Sequence, residues 1–493
     1  MKKIILLFVM VTLINFANAN DVIKLYDKQD KTINIKVWFN VGSQLDPAGK
    51  EGLCYLTAKL LAEGNTKTLK YSEILDKLYP FAASYNVRIT NEMTVFNASV
   101  HKDKYNEFIK IVTDALLNPA FDDADIERIK SEMLTYLEST LPYQNDEELG
   151  KALLYNELFK NTPYGHLSAG TISGIKNISK DDIFNFYKTY FNRNNYTIAI
   201  SGDFTDKFIT ALNNELMKLP DGKKAEKPVF TISQPQGHNA IIFEKDANAT
   251  AISIGTHLPL LRGTKDWYAL AVANSYLGEH RNSVSHLYQV IRAARGLNYG
   301  DYSYIEHFPN GGSLNMPPQN ICRRYQLFEI WIRPVPNETR YFVIKTVLYE
   351  LDKLYKNGLT KEQFEKQRNF LKNYINFYAQ SNYERLGYMV DDAFYGIKEG
   401  HLNLFKKYLN KITYEDVQAA IKKYLNPDNL LFVIITKNGE ELKNQLENNP
   451  VATISYSTPK PNEVLDEDKI IGNYPVKFNN LEIRQINKEV FNK

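Results

Sequence analysis

The sequence predicts an α+β protein made of two homologous halves, each an antiparallel sheet with helices packed on it. Three features indicate this class. A pair of short segments recurs once at a fixed offset, strand-like and helix-like runs are grouped rather than regularly alternating, and a polar segment with proline and glycine separates the two copies. Regular alternation of strands and helices would favour a parallel sheet, whereas this grouping favours antiparallel sheets.

The internal duplication is visible as two matches in the same register. Residues 178–183 (Ile-Ser-Lys-Asp-Asp-Ile) recur as 412–417 (Ile-Thr-Tyr-Glu-Asp-Val), and 190–195 recur as 424–429, so both matches lie 234 positions apart. Chance could produce one such match. Two in register indicate two related halves.

Each copy has the same predicted local structure. Ser179 and Thr413 are typical helix N-caps, and Asp182 and Asp416 follow three residues later in the manner of a capping box. A run of β-branched and other apolar residues follows each copy. We therefore expect a capped helix, an asparagine-rich turn and a strand in both halves.

These features divide the chain into five parts. We predict a signal peptide at 1–19, an N-terminal domain at 20–218, a linker at 219–236, a C-terminal domain at 237–446 and a tail at 447–493. The tail contains four prolines and only short apolar runs, so we expect it to strap over the surface or to be partly disordered.

The beginning of the chain predicts export. Lys2 and Lys3 precede an apolar run at 4–16, and Ala-Asn-Ala at 17–19 resembles a signal-peptidase site. The run is too short to span a bilayer comfortably, and we expect cleavage before Asn20. The expected location is the periplasm of a Gram-negative bacterium, with no membrane attachment after cleavage.

Charge and cysteine content bear on two other classes of protein, nucleic-acid-binding proteins and disulfide-rich proteins. The 493 residues carry a formal charge of +3 with basic and acidic residues mixed, which gives no argument for nucleic-acid binding. Cys54 and Cys322 are the only cysteines, so a disulfide framework is excluded. A single bridge between them is one alternative, and two separate buried thiols are the favoured one.

Local patterns predict the elements of the N-terminal half. Residues 33–41 alternate like a strand, and 93–100 are predicted as another strand. Leu53, Leu56 and Leu60 mark one face of a helix that Gly64 would end. Runs at 105–117 and 126–141 are predicted as further helices.

The helix over 52–64 resembles the zinc helix of the pitrilysin/insulinase-type metallopeptidases. That family has His-x-x-Glu-His there, whereas this chain has Tyr55 and Lys59 for the histidines and Ala58 for the glutamate. The resemblance places the third ligand, normally a glutamate, at Tyr136. We call Tyr55, Ala58, Lys59 and Tyr136 the substituted positions.

These replacements remove the chemistry of the metal site. A catalytic zinc needs three ligands from His, Cys, Asp or Glu and an open position for water. A phenol binds only after losing a proton with a pKa near 10, and an ammonium offers no acceptor at all. Shifting the alignment could bring Glu132 or Glu138 to the third position but would not restore the histidines. The sequence therefore predicts no zinc in this chain.

Further motifs extend the resemblance over residues 30–440, roughly. Pro-Tyr-Gly at 163–165, Gly-Thr at 170–171 and Ser-Gly-Asp at 201–203 are similar to family segments of the N-terminal half. In the C-terminal half, residues 287–299 are similar to the family signature Leu-x-x-x-x-Arg-x-x-x-Gly-Leu-x-Tyr. The resemblance implies that the two halves form a clamshell around a cavity.

That signature is the part of the family chemistry that this chain retains. The resemblance implies that Arg292 and Tyr299 face a zinc site across a cavity, where the phenol and the guanidinium would hold a peptide backbone. Arg295 is an alternative for the arginine. The other alternative is that both residues have only structural roles, with Tyr299 capping a core edge and Arg292 forming a surface ion pair.

Two histidines outside the motifs are weaker candidates. His280 and His286 bracket a polar stretch without a third ligand, so a loop and helix surface is the expected environment.

The resemblance implies a role as the non-catalytic subunit of a periplasmic zinc metallopeptidase heterodimer. Zinc is expected in the similarly folded partner, and an extended peptide is the expected substrate. On its own the chain is expected not to be a peptidase. One alternative is a peptide-binding or assembly protein of the same fold, and another is a peptidase with a non-standard metal site.

Overall fold

The fold is known from a computed structural model that describes residues 22–487 and 490–492. The predicted signal peptide and its cleavage site lie outside the described residues. Within the described part of the chain, no helix combines the length and apolar character needed to cross a bilayer.

The N-terminal half is a five-stranded sheet with helices packed on it. Its strands are β1 (Val22–Tyr26), β2 (Thr32–Phe39), β3 (Ser84–Ile89), β4 (Thr94–His101) and β5 (Tyr196–Gly202). Its helices are α1 (Leu53–Glu63), α2 (Tyr71–Leu78), α3 (Tyr105–Leu117), α4 (Asp123–Thr135), α5 (Leu141–Gln144), α6 (Asp146–Leu158), α7 (Ile172–Asn177), α8 (Lys180–Tyr190) and α9 (Asp206–Leu216). The strands and helices predicted for this half are present, except that the helix expected over 126–141 is interrupted after α4 by a π-helical turn, Tyr136–Thr140.

The C-terminal half has a six-stranded sheet. Its strands are β6 (His238–Glu244), β7 (Ala249–Leu258), β8 (Asp301–Tyr304), β9 (Gln326–Pro336), β10 (Leu430–Thr436) and β11 (Phe478–Gln485). Its helices are α10 (Lys265–Gly278), α11 (Arg340–Asn357), α12 (Lys361–Tyr374), α13 (Asn382–Tyr395), α14 (His401–Leu409), α15 (Tyr414–Tyr424), α16 (Gly439–Asn448) and α17 (Asn462–Asn473).

The two sheets repeat one topology, which confirms the prediction of two α+β halves. The strand order β1-β5-β2-β4-β3 in the first sheet corresponds to β6-β10-β7-β9-β8 in the second. Capping boxes at Ser179–Asp182 and Thr413–Asp416 start α8 and α15, and β5 and β10 follow them, as the duplication predicts.

Purely antiparallel sheets were a wrong expectation. In each half the first strand pairs in parallel with the last strand of the repeat, β1 with β5 and β6 with β10, while the inner pairs are antiparallel. More than 150 residues separate β1 from β5 and β6 from β10, so no local pattern indicates the relative direction of these paired strands.

The tail is an integral part of the C-terminal half, contrary to the expectation of a surface strap. β11 pairs in parallel with β6 at the edge of the sheet, and α17 packs beside α11. Further on, the carbonyl oxygen of Phe491 accepts a hydrogen bond from the N–H of Ile172 at 3.0 Å. Backbone hydrogen bonds to a distant strand order this segment, and short apolar runs do not reveal them.

Both faces of the C-terminal sheet are buried, and one of them is covered by the N-terminal half. Leu149, Leu153 and Leu154 of α6 belong to the same core as Leu431 and Ile435 of β10. Neighbouring β10 residues point to the opposite face and join the core under the C-terminal helices. The two halves are therefore held together by a continuous apolar core.

A buried ionic cluster reinforces this junction. Glu92, in the turn between β3 and β4, is fully buried and pairs with Arg324 of the C-terminal half at 2.9 Å and with Lys227 of the 219–236 segment at 3.4 Å. The hydroxyl of Tyr164 also donates to this carboxylate. One acidic group thus connects both halves and the segment between them, which contains neither helix nor strand from 220 to 236.

Replacing Glu92 with glutamine should destabilise the protein strongly. The substitution nearly keeps the shape but removes the buried counter-charge of Arg324 and Lys227, whose side chains are 27% and 24% exposed, and breaking such a pair typically costs about 3 kcal/mol. Urea denaturation would measure the loss in the free energy of unfolding.

The matched control is Asp466→Asn, which breaks an exposed pair with Lys469. That change should cost less than about 0.5 kcal/mol. Equal effects of the two substitutions would contradict the structural role of Glu92.

Candidate functional site

The helix α1 carries three of the substituted positions. It starts at Gly52, a position that no other residue type fits without strain. Gly52 has φ +106°, and a Cβ there would lie 3.0 Å from the carbonyl oxygen of Ala169 and 3.2 Å from Cα of Gly170. The Asp46 carboxyl group accepts the backbone N–H groups of Gly52 and Cys54, both at 2.7 Å. Backbone packing and this cap fix the position of α1.

The three substituted positions on α1 have no metal-binding capacity. Ala58 is fully buried in the core. The ammonium of Lys59 pairs with the carboxylate of Glu63 one turn later. Burial raises the pKa of the half-buried Tyr55, and Glu63 and Glu132 raise it further. Tyr55 therefore stays protonated at neutral pH and Lys59 has no lone pair to donate.

Tyr136 lies next to Tyr55, as the resemblance implies. It begins the π-helical turn after α4, an irregularity that is frequent at functional sites. Burial raises the pKa of Tyr136 to about 12, with further contributions from Glu148 and from Tyr55. The structure thus brings together the positions of the first and third ligands but places two neutral phenols there.

The neighbouring carboxylates do not replace the missing ligands. Glu132 pairs with Arg128 at 3.1 Å, and Glu138 pairs with Lys176 at 3.3 Å. Among residues 22–487 and 490–492, no group of three or more His, Cys, Asp or Glu side chains could hold a metal ion. The residues present do not fit a zinc ion.

A cavity of about 610 Å³ lies beside these positions, and we call it the interhalf cavity. Tyr55 and Tyr136 form part of its wall, together with Arg88 and Ile89 of the edge strand β3. The C-terminal half contributes its opposite wall through His307, Pro309, Asn310, Ser313, Leu314, Pro318, Ile321 and Arg323. The clamshell predicted from the resemblance is thus present within one chain.

Two histidines in the cavity wall were not identified from the sequence. Burial lowers the pKa of His166, whose Nδ1 lies 2.9 Å from the carbonyl oxygen of Leu167. Burial, assisted by Arg323 and Lys151, lowers the pKa of His307 well below its usual value. Both imidazoles are neutral near pH 7. His166 directly follows the Pro-Tyr-Gly segment, whereas His307 lies in no recognisable motif.

A buried polar group on α6 also contributes to the wall. The hydroxyl of Tyr155 donates to Glu329 at 2.6 Å, and the Lys151 ammonium lies 3.9 Å from the other oxygen of that carboxylate. Lys151 also lies 4.8 Å from the ring centroids of Tyr304 and Trp331. These contacts fix the positions of Lys151 and Tyr155, which line the interhalf cavity.

Arg292 and Tyr299 lie elsewhere, because neither is among the residues lining the interhalf cavity. Arg292 is exposed in a second π-helical turn, Tyr288–Ala293, with its guanidinium carbon 5.7 Å from the ring centroid of Tyr288. Tyr299 is 77% exposed. Within the described part of the chain Arg292 makes no ion pair, so neither the core-edge nor the ion-pair alternative describes this pair.

Arg295, the alternative arginine, has a structural role. It is 3% exposed, and its guanidinium donates to Asp468 at 2.8 Å, to Glu467 at 2.9 Å and to the carbonyl oxygen of Val290 at 2.8 Å. Because these contacts tie it to α17, Arg295 is unavailable to a substrate, and that alternative is wrong.

Both cysteines are free and buried. Burial raises the pKa of the Cys54 and Cys322 thiols well above the usual value. The favoured prediction of two separate thiols is confirmed, and the disulfide alternative is wrong.

Comparison with known families agrees with this architecture. The sequence model described as insulinase (peptidase family M16) matches residues 21–171, and the one described as peptidase M16 inactive domain matches residues 177–371. Together they cover most of the chain. This chain belongs to peptidase family M16. The resemblance to pitrilysin/insulinase-type enzymes is thereby confirmed.

Individual M16 proteins match over most of their length. The non-peptidase homolog YmxG of Helicobacter pylori is 24% identical over 417 residues, 83% of this chain and 89% of that protein. A crystal structure described as a peptidase M16 inactive domain from Pseudomonas fluorescens gives a TM-score of 0.75 at 22% identity, covering 85% of this chain and 96% of that one.

A third comparison concerns a protein of about twice this length. The first half of the periplasmic protease PqqL from Escherichia coli gives a TM-score of 0.65 at 14% identity, covering 94% of this chain and 96% of that half. Against complete PqqL, the match covers 92% of this chain and 49% of that one. The fold of this chain therefore corresponds to half of that protease.

Introducing the family's ligands should create a zinc site, because Tyr55 and Tyr136, the positions assigned to the first and third ligands, line the same cavity. We expect the triple variant Tyr55→His, Lys59→His, Tyr136→Glu to bind about one zinc ion per chain, since three such ligands suffice. Elemental analysis after dialysis would measure it.

The control is the double variant with Tyr136 unchanged, which should retain much less zinc. A folded triple variant that retains no more zinc than the double variant would contradict the assigned correspondence of these positions.

Proposed function

We propose that this M16 chain is the non-catalytic subunit of an exported zinc metallopeptidase heterodimer. In this proposal a similarly folded partner holds the zinc, and Arg292 and Tyr299 act on the peptide bound there. The observation that carries the proposal is the contrast between the two sites. The substituted positions are occupied by phenols and an ion pair, whereas Arg292 and Tyr299 are exposed.

The exposure of Arg292 and Tyr299 favours action on another chain. A large aromatic side chain that is 77% exposed gains little from burial in this subunit, and its hydroxyl is free to reach a ligand. An arginine without an ion pair among the described residues retains its donors for carbonyl oxygens or a developing oxyanion. Neither residue shares a cavity with Tyr55 or Tyr136.

The correspondence to half of PqqL supports a two-subunit assembly. A protease of about twice this length contains one copy of this fold in its first half. Two separate chains could form an equivalent pair by association. The basic and apolar start of this chain is the basis for proposing that the assembly operates in the periplasm.

The edge strand β3 is the proposed docking line for an extended peptide. β3 is the last strand of its sheet, and Arg88 and Ile89 at its end line the interhalf cavity. A peptide can pair with such an edge through backbone hydrogen bonds, with alternate side chains in the cavity. The size and the aromatic walls of this cavity also favour the second candidate, a peptide-binding protein without a proteolytic role.

The purified chain alone should contain less than about 0.1 zinc per molecule and cleave no peptide, because a catalytic site needs three ligands. Elemental analysis and a peptide-cleavage assay would test this. One zinc per chain together with cleavage would instead establish a peptidase with a non-standard metal site.

Mixing with a zinc-bearing M16 chain of the same organism should produce cleavage that depends on Arg292. We expect Arg292→Ala to lower kcat/KM of the mixture about 100-fold and Tyr299→Phe about 10-fold, as for loss of donors to a developing oxyanion. Initial rates of peptide cleavage would measure both effects.

The matched controls are Arg385→Ala and Tyr79→Phe, which alter exposed side chains of the same types. Both should leave the rate of the mixture unchanged. Full activity in Arg292→Ala would refute the catalytic-subunit role, and peptide binding that needs no partner would then favour the second candidate.

A further inference from the structure

A second cavity, which we call the C-terminal cavity, lies inside the C-terminal half. Its volume is about 80 Å³, and α10, α13, α14 and the segment 303–321 contribute to its lining. Since one water needs roughly 10–15 Å³, this space holds about five waters or a small organic molecule. His307, Pro318 and Ile321 line both this cavity and the interhalf cavity.

One wall carries a carboxyl group without a cationic partner. Glu279 follows the last residue of α10 and is 8% exposed. Its side chain makes no ion pair within the described part of the chain, and the hydroxyl of Ser275, one turn earlier on α10, donates to Gln367 at 3.3 Å. Burial raises the pKa of Glu279 to about 7. A buried carboxylate normally requires a counter-charge, which the protein does not supply here.

The other charged groups around the cavity leave an excess of acid. Arg262 is already bound by Glu306 through two contacts of 2.8 and 2.9 Å, and Asp391 lies 3.6 Å from its Nη1. Burial holds the pKa values of three surrounding histidines below their usual range: His280, His307 and His401. Glu306 and Asp391 thus offset the charge of Arg262, and Glu279 adds a further carboxyl group to the wall, so the site disfavours anions.

His280 is buried here, with Nδ1 2.9 Å from the hydroxyl of Tyr304 and Nε2 2.8 Å from the carbonyl oxygen of Leu314. The surface position expected for it is wrong. These two contacts occupy both ring nitrogens, so His280 is part of the frame of the cavity rather than a ligand.

Aromatic rings form much of the remaining wall. They are contributed by Trp267, Tyr304, Phe308, Tyr378, Tyr388 and Phe405. Tyr304 and Tyr378 line the same cavity as Glu279. Aromatic faces next to a carboxylate form a favourable environment for an organic cation.

We propose that the C-terminal cavity binds a small organic ammonium ion, which pairs with Glu279 and places its alkyl part against the aromatic wall. A metal ion is disfavoured, because no suitable group of three ligating side chains occurs among the described residues. The volume restricts the ligand to a few non-hydrogen atoms. This proposal is independent of the proposed proteolytic assembly.

Ethylammonium chloride is a suitable probe for the full-length protein. Three non-hydrogen atoms at the highest observed ligand efficiency correspond to a Kd on the order of 1 mM. Saturation-transfer NMR of the ethyl protons would detect binding, and a titration would give Kd. Glu279→Gln should weaken binding at least about tenfold, because the ammonium loses its counter-charge.

Two further variants and two salts make the test specific. Ala271→Leu, which fills the cavity from α10, should also remove binding, whereas Glu338→Gln at an exposed carboxylate should leave Kd unchanged. Tetraethylammonium, which is too large, and sodium chloride at equal ionic strength should not compete. Absence of ethylammonium binding to the wild-type protein up to about 50 mM, or equal binding by Glu279→Gln, would overturn the proposal.

Discussion

The burial of α6 against the C-terminal sheet is the contact on which the rest of the molecule depends. Leu149, Leu153 and Leu154 of the N-terminal half fill the same core as Leu431 and Ile435 of the other half. Burying each apolar side chain contributes about 1.5–3 kcal/mol of stabilising free energy, so separation of the two halves is strongly unfavourable. The interhalf cavity is the space left beside this junction, and Glu92 completes the junction by binding Arg324 and Lys227.

The backbone around the substituted positions is firmly fixed, although the side chains at these positions do not fit a metal ion. Gly52 still has the left-handed backbone that lets the loop around Gly170 approach, and Asp46 still caps α1. Tyr55 and Tyr136 lie together where two ligands would meet. Tyrosine side chains fit the helix packing here because they lie beside a cavity. Zinc coordination, in contrast, is lost when tyrosine replaces its histidine and glutamate ligands. Fold and catalysis thus depend on different properties of the same residues.

The two arginines of the C-terminal signature differ in a way that bears directly on function. The donors of Arg295 are occupied by ion pairs with Glu467 and Asp468 of α17, and these pairs hold the tail in place. Arg292, three residues earlier, lies on the exposed side of a π-helical turn. Only Arg292 retains donors for another molecule. The assignment of a role in a shared active site therefore depends on the orientation of one helical turn.

The sequence by itself determined the two-half architecture, the capped helices α8 and α15, and the absence of the zinc motif. These features depend on residue identities at short spacing, such as Ser179 with Asp182 or Tyr55 with Lys59, which act locally. The tertiary structure alone decided the parallel pairing of β1 with β5, the placement of β11 beside β6, and the burial of Arg295 and His280. It also formed both cavities, whose walls come from segments more than 100 residues apart. Such contacts depend on where remote segments meet after folding, and that meeting leaves no periodic pattern in the sequence.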